Sequence, residues 1–160
     1  MIKSWLLILG MFVFTNALPF IQTSGFAAES APLAIPSGTG AITVRISGLR
    51  NSDGSLSVAL FSAKKGFPGK FDKALRTLSI PASAEPVVAF DNVPWGTYAL
   101  AVRHDENGNG KLDANFLGMP KEGVGTSNNP KSSFGPPSFK DASFMLDRKN
   151  LEMTINLRYL

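Results

Sequence analysis

The sequence predicts an all-β protein, an antiparallel β-sandwich of about seven strands that carries one long ordered loop. Two observations lead to this fold class. Short runs of alternating apolar and polar residues recur along the chain, and clusters of Gly, Pro, Asn and Asp separate them. The 3.6-residue period of an amphipathic helix is not sustained in any of these runs.

The first two alternating runs predict a hairpin across the turn cluster 48–54, which contains an Asp-Gly pair. Their apolar positions are Ile42, Val44, Ile46, Leu56, Val58 and Leu60. The most regular later run is 97–103, in which Tyr98, Leu100 and Val102 share one face. The other predicted strands are 75–80, 87–90, 144–146 and 151–157.

Residues 1–27 have the pattern of a secretory signal peptide. Lys3 provides a positive start, an apolar run follows over 5–14, and small residues precede an expected cut between Ala27 and Ala28. The uninterrupted apolar run is too short to span a bilayer comfortably, so we expect cleavage and no transmembrane segment afterwards. The protein is therefore expected to be exported, either to the periplasm or to the extracellular space.

The rest of the chain is expected to hold one domain. Residues 28–40, rich in Ala, Pro, Ser and Gly, predict a flexible lead-in, and 41–160 predict a single β-sandwich. The chain contains no cysteine, which excludes disulfides, thiolate metal sites and cysteine nucleophiles. The formal net charge of +4 is spread along the chain, so no nucleic-acid partner is predicted.

The segment 104–140 is long for a loop in a compact domain, which indicates either a function or an ordered structure of its own. Its apolar residues would be costly to leave in water, so we expect the segment to be ordered and packed over one end of the sandwich. These residues are Phe116, Leu117, Met119, Val124, Phe134 and Phe139.

This segment begins with the front half of a calcium-loop pattern, in which oxygen-bearing side chains alternate before a glycine. The predicted ligands are the side chains of Asp105, Asn107, Asn109 and Asp113 and the backbone carbonyl of Lys111. Phe116 stands where an EF-hand has its bidentate glutamate, so we expect weak calcium binding, with Glu122 or Asp141 available to close the shell. The alternative is that the Asp and Asn side chains only cap turns of the backbone.

His104, the single histidine, follows the predicted strand 97–103 and precedes Asp105. A histidine beside a carboxylate can act as a general base, which allows the hypothesis of an envelope-associated hydrolase. No nucleophile signature such as G-x-S-x-G accompanies it. A structural, hydrogen-bonded histidine is the alternative, and no catalytic residue or organic cofactor is predicted.

Three adjoining runs carry a family resemblance: VPWGTYALAVRHD, HDENGNGKLDANFLGMPKEGVGTSNNP and FGPPSFKDASFML. Together they resemble the bacterial family named domain of unknown function 2141, over roughly residues 40–160. The resemblance implies an exported β-sandwich of unassigned activity, with no catalytic residues to transfer. Thr126 departs from the family, which often has an aromatic residue before Ser-Asn-Asn.

The segment VPWGTYAL is also similar to the strand entry of transthyretin-like and carboxypeptidase-regulatory-like sandwiches. This second similarity implies a prealbumin-like or immunoglobulin-like arrangement of the strands. It implies nothing about a ligand, because a fold does not determine a function.

The function expected from the sequence is that of an exported, non-enzymatic binding or structural module, with a loop that calcium stabilises weakly. Its partner would be an extracellular ligand or an envelope protein. Two alternatives stay open: a hydrolase that uses His104 and Asp105, and a structural subunit that docks onto an envelope complex through an exposed sheet edge.

Overall fold

The computed structural model describes residues 38–131 and 135–160. The predicted signal peptide 1–27, most of the predicted lead-in 28–40 and Phe134 lie outside the described residues. In the described ranges, no helix combines the length and the apolar character needed to cross a membrane.

The described chain is almost entirely β-structure, as the alternating runs predict. Its strands are β1 (Thr39–Ser47), β2 (Ser55–Phe61), β3 (Arg76–Pro81), β4 (Val87–Pro94), β5 (Gly96–Asp105), β6 (Gly123–Thr126), β7 (Phe144–Leu146) and β8 (Asn150–Asn156). A 3-10 turn at Phe71–Lys73 and a short helix α1 at Phe139–Ala142 complete the elements.

The strands form two sheets that pack face to face, which confirms the predicted all-β sandwich. The first sheet has the order β4-β1-β8, and the second has the order β3-β2-β5-β6, with β7 paired to the start of β5. The pairing of β1 with β8 is parallel, and the other pairings of named strands are antiparallel. The expected antiparallel arrangement therefore holds for every described pair of strands except β1 and β8.

The core lies between the sheets and is built from the predicted apolar faces. Ile42, Val44 and Ile46 of β1 face the alternating apolar residues of β2, and the β5 row of Tyr98, Leu100 and Val102 completes the layer. All of them are buried. Burying a large apolar side chain stabilises the fold by about 1.5–3 kcal/mol, so this double layer is the main source of stability.

The predicted hairpin between the first two runs is wrong. β1 pairs with β4 and β8, whereas β2 pairs with β3 and β5, so the two strands lie in different sheets. The segment 48–54 crosses the end of the sandwich instead of reversing the chain within one sheet. Both apolar rows still face the same core, and this is why alternation alone does not distinguish the two arrangements.

The segment 104–140 contains regular structure. β5 extends to Asp105, β6 adds an edge strand to the second sheet, and Phe139 at the start of α1 packs on the outer face of that sheet. This outer face carries a second apolar cluster, formed by Ala59, Phe61 and Ala101 under Phe67, Phe71, Ala74 and Phe139. In its described parts, 104–131 and 135–140, the segment is ordered as expected, and Phe139 is one of its packed residues.

The chain after β8 closes one side of the sandwich. Val124 of β6 and Arg158 exchange two backbone hydrogen bonds of 2.9 Å, so the C-terminal segment joins the edge of the second sheet. Gly123 and Gly125 make this approach possible, because a Cβ would lie 2.7 Å from the Tyr159 ring at Gly123 and 2.8 Å from Ile155 at Gly125.

Candidate functional site

The predicted calcium loop is folded around the carboxylate of Asp105, which is 3% exposed. One of its oxygens accepts a hydrogen bond from the backbone amide of Asn109 at 3.1 Å, and the other accepts one from Gly110 at 2.7 Å. The loop therefore turns around this side chain.

Asn107, Asn109 and Asp113 come together as the sequence predicts. The side-chain amides of Asn107 and Asn109 donate to the Asp113 carboxylate at 2.6 and 3.1 Å. Their amide oxygens accept from backbone N–H groups, at Asn109 and Lys111 respectively. These three side chains hydrogen-bond one another and the backbone, as the turn-capping alternative predicts.

Glu122 accepts hydrogen bonds from the loop backbone, whereas Asp141 lies at the start of α1 and makes no hydrogen bond to the loop in the described residues. Glu122 is 4% exposed, and its carboxylate accepts from the backbone amides of Glu106 and Asp113, both at 3.1 Å. Asp141 forms a capping box with Ser138 at the start of α1. Within the described ranges, no group of three or more His, Asp or Glu side chains has the geometry of a metal site. Calcium binding by the loop stays a prediction.

His104 is fully buried and has both ring nitrogens engaged. Nε2 lies 2.8 Å from the carbonyl oxygen of Asp53, and Nδ1 lies 2.8 Å from the hydroxyl of Tyr159. The neighbouring Asp105 turns its carboxylate toward the loop amides and not toward the ring. This geometry offers no acid–base pair in a cleft and favours the structural interpretation of the histidine.

An ion pair lies next to this histidine. Arg50 binds the Glu106 carboxylate with both Nε and Nη2, and the Nε contact is 2.8 Å long. Asn51 donates to the same carboxylate at 2.7 Å. The hydrogen bond from Arg50 lowers the pKa of Glu106, and burial raises the pKa of Tyr159, whose ring lies 4.4 Å below the Arg50 guanidinium.

A cleft of about 620 Å³ lies on the outer face of the second sheet. Its floor is formed by the outward residues of β5 and β6, and its walls come from the 68–71 loop, residues 112–120 and the Pro136-Pro137 turn. The floor includes Ala101, Arg103, Val124 and Thr126. A cavity of this size is typical of small-molecule sites, which range over about 300–1,000 Å³.

Only one feature of the sequence points to this cleft. Arg103 occupies the polar side of the otherwise apolar β5 run, so alternation alone places it on the outer face. The other floor and wall residues come from distant segments, and only the pairing of β6 with β5 and with the C-terminal segment brings them together.

One wall of the cleft ends in an exposed apolar tip, residues 115–119. Asn115 shapes it: its backbone amide donates to the Met119 carbonyl at 2.8 Å, and its side-chain oxygen accepts from Leu117 and Met119. Phe116 is 95% exposed, and Leu117 and Met119 are also exposed. The expectation of packing over the sandwich is wrong for Phe116 and Leu117, which extend into solvent, whereas Met119 lines the wall of the cleft.

The family model described as "Uncharacterized protein conserved in bacteria (DUF2141)" matches residues 44–154. The chain belongs to this family. The match extends from β1 into β8 and so includes both sheets, the 105–113 loop and most of the cleft. No curated protein and no solved structure matches the chain, so the similarity to transthyretin-like sandwiches stays a prediction.

The Ser127-Asn128-Asn129 run of this DUF2141 protein is structural. Ser127 is fully buried, accepts from the Leu100 amide at 2.9 Å and donates to the Ala142 carbonyl at 2.6 Å. Asn129 covers the edge of β8 by bonding Thr154 and Asn156. Thr126 lines the cleft.

Proposed function

We propose that this DUF2141 protein is an exported binding module, without enzymatic activity, that takes a small ligand into the cleft on the outer face of its second sheet. The single observation that carries the proposal is the cleft, about 620 Å³ in volume and lined mainly by apolar side chains and prolines. Sites of this size and character bury most of the surface of a small ligand.

The surroundings of the cleft support a preformed site. Its floor is a strand pair with four registered positions between β5 and β6, and the Phe71 wall belongs to the second apolar cluster. A floor and wall held in this way lose little conformational entropy when a ligand binds, which favours affinity.

The proposal is tested with Nile red, a neutral apolar dye whose fluorescence increases in apolar surroundings. Val124 lies at the centre of the floor, so Val124→Phe fills the cleft with a larger side chain. The matched control is Val87→Phe, at an exposed position on the edge strand β4 of the other sheet.

We expect the wild-type protein and Val87→Phe to bind the dye alike and Val124→Phe to bind it at least about tenfold more weakly, a loss of about 1.4 kcal/mol. Circular dichroism checks that both variants are folded. If the folded wild-type protein does not bind the dye, or if both variants bind it equally, the cleft is not the binding site.

The exposed tip, residues 115–119, favours a second candidate function, docking onto an envelope protein. A tip that its own hydrogen bonds hold rigid loses little entropy when a partner covers Phe116. A photo-crosslinking residue at position 116 is expected to capture one discrete partner in intact cells. The same residue at position 145, where Met145 is 63% exposed on β7, serves as the control. Equal labelling from both positions contradicts specific docking.

A further inference from the structure

We propose that the ligand of the cleft is an amphiphile, an apolar body with an anionic oxygen head group, and that Arg103 and Arg158 bind the head group. This inference rests on the proposed function, because it names the chemical class of the ligand that the cleft takes.

The register of the strands places both arginines on one face. Arg103 of β5 pairs with Val124 of β6, and Val124 pairs in turn with Arg158. Residues directly opposite each other in neighbouring strands project to the same side of a sheet. The two arginines therefore flank Val124 on the floor of the cleft, separated by two strand spacings, roughly 10 Å between their backbones.

The charged side chains that line the cleft are both basic. Among the described residues of the lining, Arg103 and Arg158 carry charged side chains, and none is an aspartate or a glutamate. Neither arginine takes part in a salt bridge in the part of the chain that the structure describes. Two guanidinium groups without a salt-bridge partner beside low-dielectric walls favour the binding of an anion.

Two contacts hold the Arg103 guanidinium in place, and they leave its Nε–H without a hydrogen-bond partner among the described residues. Its guanidinium lies 5.1 Å from the centre of the Phe71 ring, and its Nη2 donates to the Gly110 carbonyl at 3.3 Å. Its Nε is buried without a hydrogen-bond partner in the described residues. A buried donor without a partner is unfavourable, so a small rotation of the side chain that brought the Nε edge to an oxyanion in the cleft would satisfy it with the paired geometry that arginine favours.

Two facing walls of the cleft are apolar and match the apolar body of the ligand. Leu112, Met119 and Pro120 form the wall toward the exposed tip, and Phe71 and Pro68 form the opposite wall. Leu112 and Met119 remain 37% and 41% exposed, so a chain lying against them would remove apolar surface from water.

The test compares dodecanoate with dodecanol, which have the same chain and differ in the charged head group. Each is titrated into the wild-type protein by calorimetry, below its micelle concentration, and each is used to displace Nile red. The variants are Arg103→Met and Arg158→Met. Arg45→Met, on an exposed arginine of β1 in the other sheet, is the matched control.

We expect dodecanoate to bind the wild-type protein at least about tenfold more tightly than dodecanol, since a hydrogen bond to a charged group contributes at least this factor. Arg103→Met is expected to remove most of that preference, and Arg158→Met to reduce it. Arg45→Met keeps it. If Arg103→Met does not fold, Arg158→Met, a substitution at an exposed position, tests the head-group assignment instead.

Two other outcomes distinguish the head-group assignment from the cleft as a binding site. Equal binding of the two ligands by the wild-type protein, or a preference that survives both cleft substitutions, overturns the anionic head group and leaves the binding module intact. Binding of neither ligand, together with no binding of Nile red, overturns the cleft as a site and the head-group assignment with it.

Discussion

The hydroxyl of Tyr159 lies 2.8 Å from Nδ1 of His104, and this contact ties the C-terminal segment to β5. The carbonyl of Asp53 only accepts hydrogen bonds, so the proton of the neutral ring lies on Nε2, and Nδ1 accepts from the tyrosine. The same hydroxyl accepts from the backbone amide of Arg50 at 3.2 Å. One side chain therefore joins three separate parts of the chain around a buried histidine.

Tyr159→Phe is expected to lower the free energy of unfolding by about 1–3 kcal/mol, because it leaves a buried histidine nitrogen without a partner. Tyr98→Phe is the matched control: the Tyr98 hydroxyl donates at 2.8 Å to the carbonyl of Pro94, an exposed residue that water can reach. Urea unfolding should show the larger loss for Tyr159→Phe. Equal losses would mean that the histidine contact adds nothing beyond an ordinary hydroxyl bond.

The Arg50–Glu106 pair makes stability depend on pH in the acid range. Because Arg50 lowers the pKa of Glu106 in the folded state, the contribution of the pair is present above the unfolded carboxyl pKa of about 4.3 and is lost as the pH falls through the folded value. Arg50 is half exposed, so we expect a contribution of about 1 kcal/mol or less.

Glu106→Gln should therefore destabilise the protein near neutral pH and have a smaller effect at about pH 3, when Glu106 is protonated in the wild-type protein. Glu152→Gln is the control, since its pair with Arg45 is 4.0 Å long and well exposed. Thermal unfolding at a series of pH values measures both. A Glu106→Gln loss that is the same at all pH values would contradict the ion-pair explanation.

Alanine substitutions at Gly54 and Gly108 distinguish two costs: the steric clash of an added Cβ and the strain of a positive φ. Both have positive φ, +66° and +71°, but a Cβ at Gly54 would lie 2.0 Å from the Asp105 carbonyl oxygen, whereas a Cβ at Gly108 meets nothing within 4 Å. Gly108→Ala should cost about 1 kcal/mol from conformation alone. Gly54→Ala should cost roughly 1–3 kcal/mol more, because the backbone must also move. Similar unfolding midpoints for the two variants would show that the backbone of segment 48–54 moves to accommodate the Cβ at little energetic cost.

The calcium hypothesis predicts a calcium-specific rise in the melting temperature of the chain 28–160. At about 100 times the dissociation constant, calcium stabilises by about 2.7 kcal/mol, a rise on the order of 5–15 °C for a domain of this size. EDTA and magnesium are the reference conditions. The rise should disappear when Asp105 and Asp113 are both replaced by alanine. Identical melting curves in calcium and EDTA would leave the 105–113 loop as a hydrogen-bonded turn.

The same double substitution has a consequence that does not depend on metal. Without Asp105 the Gly110 amide loses its acceptor and the Asn109 amide keeps only Asn107, and without Asp113 the Asn107 and Asn109 side-chain amides lose theirs. We expect limited proteolysis in EDTA to cut the variant between 105 and 113 faster than the wild-type protein, while β1 and β8 stay intact. Unchanged resistance would mean that Glu122 alone holds the loop.

Local patterns in the sequence predicted which residues face the core, and most of these predictions are confirmed. The apolar rows of β1, β2 and β5 are buried as the alternation indicates. The oxygen-bearing residues 105–113 are brought together because they lie within one tight loop. These features depend on neighbours a few positions apart, where side-chain direction follows from the period of the strand or the turn.

Local sequence patterns were enough to predict the sandwich class, the inward faces of its strands and the grouping of the 105–113 side chains. Tertiary structure alone decided that β1 and β2 lie in different sheets, that Phe116 stays exposed and that Arg103, Val124 and Arg158 share one row. The physical reason is that strand pairing joins backbone groups from distant segments. Backbone hydrogen bonds carry no residue identity, so their partners follow from packing the whole chain.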